Sequence, residues 1–189
     1  MINVIEIKID EFKSDIYKQY IQLFPKDEQR ELKKIENSYN DGLEKFYKIV
    51  KNDQTIGFFM LEKLKEDYPY YLDYFAIFKE FQGLGYGTKA MKILLDRKVL
   101  DKGLIAEIEK VCTDNPITVR RFEFYKKLGF KKIEAEYLLY NVLYTPIVNW
   151  NNKKINKEKI DEIFFSYYKM NCGEEAVKNI VKRLYKRKL

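Results

Sequence analysis

Phe81-Gln82-Gly83-Leu84-Gly85-Tyr86-Gly87-Thr88-Lys89 is the stretch around which the rest of this 189-residue chain falls into order. Upstream, residues 70–78 are almost continuously apolar or aromatic, the pattern of a central strand covered on both faces. Downstream, Ala90, Met91, Leu94 and Leu95 mark the stripe of an amphipathic helix expected to run to about residue 98. Between them lies a turn with three alternating glycines. Glycine permits positive φ and lets a ligand approach the main chain. Successive N–H groups in such a turn, joined to a helix N-terminus, form a concavity for anions. The dipole adds roughly 0.3–1 kcal/mol per exposed anionic contact. Phosphate binding is the physical expectation, with a plain strand-to-helix turn as the alternative. No Gly-x-x-x-x-Gly-Lys-Ser/Thr is present, and Gly-x-Gly-x-Gly is not the Gly-x-Gly-x-x-Gly of dinucleotide folds.

Working outward, residues 2–8 read as a strand, and residues 10–24 as a helix with Phe12, Ile16, Tyr17, Tyr20, Ile21 and Phe24 on one face, ended by Pro25. A shorter, exposed helix is expected over 27–38. Runs 44–51 and 56–64 read as a hairpin joined by Asn52-Asp53-Gln54-Thr55. Residues 103–111 form a strand with Glu107 and Glu109 on one face and Ala106 and Ile108 on the other. Asn115 caps a helix with Pro116 at its first position, and Gly129 closes it after Leu128. Residues 130–145 supply one or two final strands. A linker is expected at 149–154, followed by two amphipathic helices, roughly 157–169 and 174–187. The organisation expected is thus a domain over 1–148 and a C-terminal helical extension over 149–189, packed on the domain or at a dimer contact.

Composition narrows the chemistry. Sixteen Tyr and thirteen Phe suit half-buried sheets and a packed core. No apolar run of membrane-spanning length occurs, and only two cysteines, Cys112 and Cys172, are present. The expectation is a cytoplasmic protein with no membrane partner. The chain has no histidine, which excludes Ser-His-Asp and Cys-His catalysis and His-ligated metal. Acid–base work falls to carboxylates, Tyr, Lys, Cys or water. The net charge of +7 suits anionic ligands, though a solvated Lys-rich surface is the preferred explanation.

The form Gln-x-x-Gly-x-Gly at Gln82–Gly87 resembles the Arg/Gln-x-x-Gly-x-Gly/Ala signature of the GNAT superfamily of acetyl-CoA-dependent N-acetyltransferases. It sits between a central strand and the next helix, as in that family. The strand carrying Glu107 and Glu109 resembles the family's next strand, and Phe124-Tyr125-Lys126-Lys127-Leu128-Gly129-Phe130 resembles its Tyr-x-x-x-Gly-Phe segment. The resemblance covers roughly residues 50–140. It implies an α/β fold of the GNAT type: a central mixed, mostly antiparallel twisted sheet flanked by helices. It also implies acetyl-CoA as co-substrate, with no metal. Main-chain groups of Phe75, Ala76 and Ile77 would pair with the pantetheine arm. N–H groups of Gln82, Gly83, Leu84, Gly85, Tyr86, Gly87 and Thr88 would hold the pyrophosphate. Tyr125 would protonate the departing thiolate or donate a hydrogen bond to it, and Glu107, Glu109 and Asp73 are the candidate bases. Two departures stand out. Gln82 replaces the more usual Arg, and Thr118 stands where many members carry an Asn.

The resemblance implies direct acetyl transfer to a primary amine, borne by a small molecule or a peptide. Two other readings stay open. One is a silent module that binds CoA without turnover; the other is an acetyltransferase whose basic C-terminal helices reach a nucleic-acid-associated acceptor. Edge coverage or a homodimer contact is the preferred role for those helices.

Overall fold

The ends of the hairpin show how local chemistry sets the ladder. Asn52 and Asp53 both take positive φ (47° and 63°), so the turn is two residues long and the second strand resumes at Gln54, earlier than the expected residue 56. Positive φ at both central positions matches the right-handed twist of paired strands. The structure, a computed structural model, describes residues 1–139, 142–150, 157–174, 177 and 182–184. The chain divides into two units: Met1–Lys63 with Tyr70–Asp101, and Leu64–Pro69 with Lys102–Leu189.

The first unit carries strands β1 (Ile2–Ile7), β2 (Glu44–Lys51), β3 (Gln54–Glu62) and β4 (Tyr70–Ile77), paired antiparallel in that order. Helix α1 spans residues 9–23 and is α-helical at Ile9–Glu11 and Tyr17–Leu23, with a π-helical stretch Phe12–Ile16 between them. Its buried residues Phe12, Ile16 and Tyr20 join Phe46, Phe58, Met60, Tyr74 and Phe78 in one core. Phe12 stacks on Phe46 at 4.3 Å, and Tyr20 meets Tyr74 edge-on at 4.8 Å. Such pairs contribute about 0.5–1.5 kcal/mol beyond area burial. The short helix expected over 27–38 is displaced: Lys26–Glu28 is a 3₁₀ turn, and α2 covers Leu32–Asn40. Helix α3 (Tyr86–Leu95) buries Ala90, Met91 and Leu94, and a 3₁₀ turn at Lys98–Leu100 follows it.

In the second unit β5 (Leu104–Glu109) pairs with β8 (Val142–Asn149), and β8 pairs in turn with β6 (Lys131–Lys132) and β7 (Glu136–Leu139). All these pairings are antiparallel. The span 130–145 therefore opens three strands rather than one or two, because β8 continues to Asn149. Helix α4 (Pro116–Lys127) begins as its sequence dictates, with Asn115 Oδ1 accepting from the Ile117 N–H at 3.1 Å. Helix α5 (Lys157–Cys172) buries Ile160, Ile163 and Phe164, and Phe164 stacks on Tyr137 at 4.7 Å. The helix expected over 174–187 fails at its end: Lys182–Leu184 is strand β9, paired antiparallel with β7. An apolar–polar rhythm that short suits either element, and the partner strand decides. Residues 151–156 of the expected linker lie outside the described residues.

Candidate functional site

In the first unit, β4 hands over through the 3₁₀ turn Lys79–Phe81 to the glycine-rich turn. Gly83 (φ 77°) and Gly85 (φ 76°) are both left-handed, and Gly85 is the N-cap of α3. Neither position has a heavy atom within 4 Å of where a Cβ would stand. The turn is therefore an open cradle rather than a packed corner. The first bond into the helix runs from the Lys89 N–H to the Gly85 carbonyl. Ahead of it, the N–H groups of Tyr86, Gly87 and Thr88 are first-turn donors with no place in the helical ladder. Leu84 is 59% exposed at the tip. Gln82 is differently engaged. Its N–H donates to the Lys79 carbonyl, and its Nε2 donates to the Ile77 carbonyl at 2.8 Å.

Phe75, Ala76 and Ile77 are half-buried at the end of β4, opposite Phe59, Phe58 and Gly57. Just before them the ladder slips: Met60 faces Tyr74 while Leu61 faces Leu72, so Asp73 is the extra residue of a bulge. Bulges re-aim side chains, and here the carboxylate meets Arg30. Arg30 Nη1 is 2.6 Å from Asp73 Oδ2, 2.8 Å from Glu44 Oε2 and 3.7 Å from Glu62 Oε2. Ser38 Oγ donates to Glu62 at 2.9 Å. All four charged side chains are at least nine-tenths buried. Burial above all holds the Glu44 carboxyl well above the usual carboxylate range; Arg30 opposes the rise, and Glu62 and Asp73 add to it. Asp73 is thus an ion-paired, enclosed carboxylate.

In the second unit, Tyr125 lies buried on α4, edge-on to Phe130 at 5.1 Å. Burial pushes its hydroxyl up to about 12, and nearby Arg121 opposes the shift. Among the described residues that hydroxyl makes no hydrogen bond. Glu107 and Glu109 point from one face of β5, and both have partners. Tyr168 of α5 donates to Glu107, and Arg121 lies 2.8 Å from Glu109. Thr118 is turned onto the backbone: its Oγ1 accepts from the Cys112 N–H and has the Asn115 and Cys112 carbonyls within reach of its one hydrogen, at 2.9 and 3.2 Å.

Reading the sequence alone missed Arg30, Glu44 and Glu62. The available signal was a carboxylate at the end of each strand of the hairpin, Glu44 opening β2 and Glu62 closing β3. Tyr168 was missed as well, because nothing local marks it as a partner for Glu107. Among the described residues no group of Cys, Asp or Glu side chains is arranged to hold a metal ion, and no helix is long and apolar enough to cross a membrane.

The family model for the acetyltransferase (GNAT) family matches residues 9–130. Among solved structures, one from Bacteroides thetaiotaomicron, assigned to the GNAT acetyltransferases, is 22% identical, with a TM-score of 0.74 over 91% of this chain and 99% of that one. The Escherichia coli ribosomal-protein-S18-alanine N-acetyltransferase is 14% identical (TM-score 0.60; 83% of this chain, 98% of that chain). Arabidopsis thaliana NAA60 in complex with acetyl-CoA is 14% identical (TM-score 0.61; 81% and 100%). At such identities the likeness is one of fold. A comparison with curated proteins finds no match.

Proposed function

This chain belongs to the acetyltransferase (GNAT) family, and from that we infer that it moves an acetyl group from acetyl-CoA to a primary amine by direct transfer. The observation that carries the reading is the open left-handed turn at Gly83 and Gly85 feeding the first turn of α3. Its free first-turn N–H groups and the positive end of the helix suit a pyrophosphate. The end of β4 at Phe75–Ile77 suits strand-like pairing with a pantetheine amide.

In the reaction the amine nitrogen attacks the thioester carbonyl carbon. The C–N bond forms, the C–S bond breaks, and backbone N–H groups steady the oxyanion between the two. Tyr125 would donate a hydrogen bond to the leaving thiolate or protonate it, and its hydroxyl, held up to about 12 by burial, keeps its proton at neutral pH for that role. The proton lost by the amine goes to a carboxylate, directly or through water. Glu107, Glu109 and Asp73 are the candidates, each in contact with the partner described above. Residues 1–148 carry this chemistry in our reading, with 149–189 as an extension of it. A cytoplasmic setting suits two free cysteines.

The test is calorimetric titration of acetyl-CoA into the wild type and Gly85→Asp, followed by an amine screen. Aspartate there adds a side chain and a negative charge at a left-handed position facing the cradle. Micromolar binding lost in the variant, with CoA release in the presence of an amine, supports the enzyme. Binding without turnover on any amine favours a CoA-binding module, and no binding by the wild type removes the reading.

A further inference from the structure

Gln82 brings no cation to the glycine-rich turn, and its amide is tied to the Ile77 carbonyl. A lysine from the adjacent hairpin lies beside that turn. Lys51, the last residue of β2, holds its Nζ 4.8 Å from the centroid of the Tyr86 ring, and Tyr86 is the first residue of α3. The ladders account for the placement. Lys51 faces Gln54 across the hairpin, Gly57 faces Ile77, and the Phe78 N–H donates to the Ile56 carbonyl at 2.8 Å. The hairpin end therefore lies where β4 gives way to the turn.

Lys51 differs from its neighbours on the same strand. Lys45 is paired with Glu6 at 2.6 Å, and Lys48 is paired with Glu11. Among the described residues no carboxylate pairs with Lys51, whose only recorded partner is the ring. An ammonium over an aromatic face is held weakly enough to be exchanged for an anion. Its point charge also complements the dipoles of backbone N–H groups around a phosphate.

We propose that Lys51 is a pyrophosphate-binding residue, its ammonium passing from the Tyr86 ring to a phosphate oxygen of acetyl-CoA and supplying the charge that Gln82 does not. This rests on the acetyl-CoA reading above. The side chain positions the co-substrate and takes no part in bond making.

The experiment is calorimetric titration of acetyl-CoA into the wild type, Lys51→Met and the double variant Lys51→Met/Gln82→Arg, with S-acetylpantetheine kinetics as the phosphate-free control. Lys51→Met is expected to bind acetyl-CoA about tenfold more weakly at low salt, the gap closing near about 1 M salt, where screening acts within about 3 Å. The double variant recovers most of the loss, and the KM for S-acetylpantetheine is unchanged. If the wild type binds acetyl-CoA and Lys51→Met binds it equally well, the assignment of Lys51 is overturned while the co-substrate reading stands. A wild type that does not bind removes that reading instead. A loss that vanishes with acetyl-dephospho-CoA places Lys51 at the 3′-phosphate and overturns the pyrophosphate assignment. A matching loss with S-acetylpantetheine shows a structural effect and overturns it too.

Discussion

Arg30 Nη1 lies 2.6 Å from Asp73 Oδ2, although 43 residues separate them in the chain. Asp73 reaches it from a bulge in β4, while Glu44 and Glu62 reach it from the facing ends of β2 and β3. One guanidinium thus answers three carboxylates in a nearly dry interior. A group of this kind contributes little when intact, because desolvation offsets attraction, but it becomes costly when one member is deleted. The loop at residues 29–31 is tied down at the same point, since the Arg30 N–H donates to the Tyr20 hydroxyl at 2.6 Å.

Arg30→Met should therefore destabilise the protein by about 3–5 kcal/mol, the usual cost of leaving buried charge without its partner. Urea unfolding followed by tyrosine fluorescence measures it. Adding Glu44→Gln and Asp73→Asn to that variant should recover part of the loss; no recovery would mean that Arg30 acts through packing alone.

Glu44 sets a pH dependence. Its carboxyl is raised in the folded state by burial, so the folded protein holds a proton that the unfolded chain releases near the ordinary carboxylate value of 4.5. Its contribution is fully present below that value and is lost as pH rises toward the folded one. As pH rises above the ordinary carboxylate value, the urea midpoint should fall more steeply with pH in the wild type than in Glu44→Gln. Parallel slopes would show that Glu44 is ionised in the fold.

Tyr125→Phe should lower kcat by about 100-fold or more while leaving acetyl-CoA affinity unchanged, as loss of a general acid requires. The hydroxyl is held up to about 12 by burial, so it stays protonated through neutral and mildly alkaline pH. The variant's deficit should accordingly be constant in a pH–rate profile from about pH 6 to pH 10. A weaker cofactor titration with an unchanged kcat would assign Tyr125 to the core instead.

Gly103 has φ 88°, and a Cβ there would stand 2.3 Å from the Asn149 carbonyl oxygen. Gly103→Ala should cost about 2 kcal/mol or more, combining strain with a clash against backbone. Gly42→Ala, at φ 73° with nothing within 4 Å, carries only the strain. Its loss in chemical denaturation should be about 1 kcal/mol, and equal losses at the two positions would argue against the close approach.

Features that need only neighbours in the chain were legible beforehand. The Asn115 cap with Pro116, the left-handed Gly129 and the glycine turn at 83–85 were all read from local pattern, and each stands where expected. The family motif was legible for the same reason, because an anion cradle is a property of a few consecutive backbone units. The short hairpin turn and the displaced α2 show the limit of that reading, since boundaries depend on which residues find partners.

Tertiary structure decided the rest, because charge and burial are set by groups distant in sequence. Spacing gave no hint that Asp73 would meet Arg30, that Tyr168 of α5 would donate to Glu107, or that Lys51 would rest on Tyr86. Strand β9 at Lys182–Leu184 is the same case: three residues with no decisive rhythm become a strand because β7 offers them a ladder. Local pattern along the chain was enough for the backbone turns and for the family. Which carboxylates are enclosed, which are paired, and which lysine rests on the Tyr86 ring beside the turn were settled by the packing of strands and helices, since only packing excludes water.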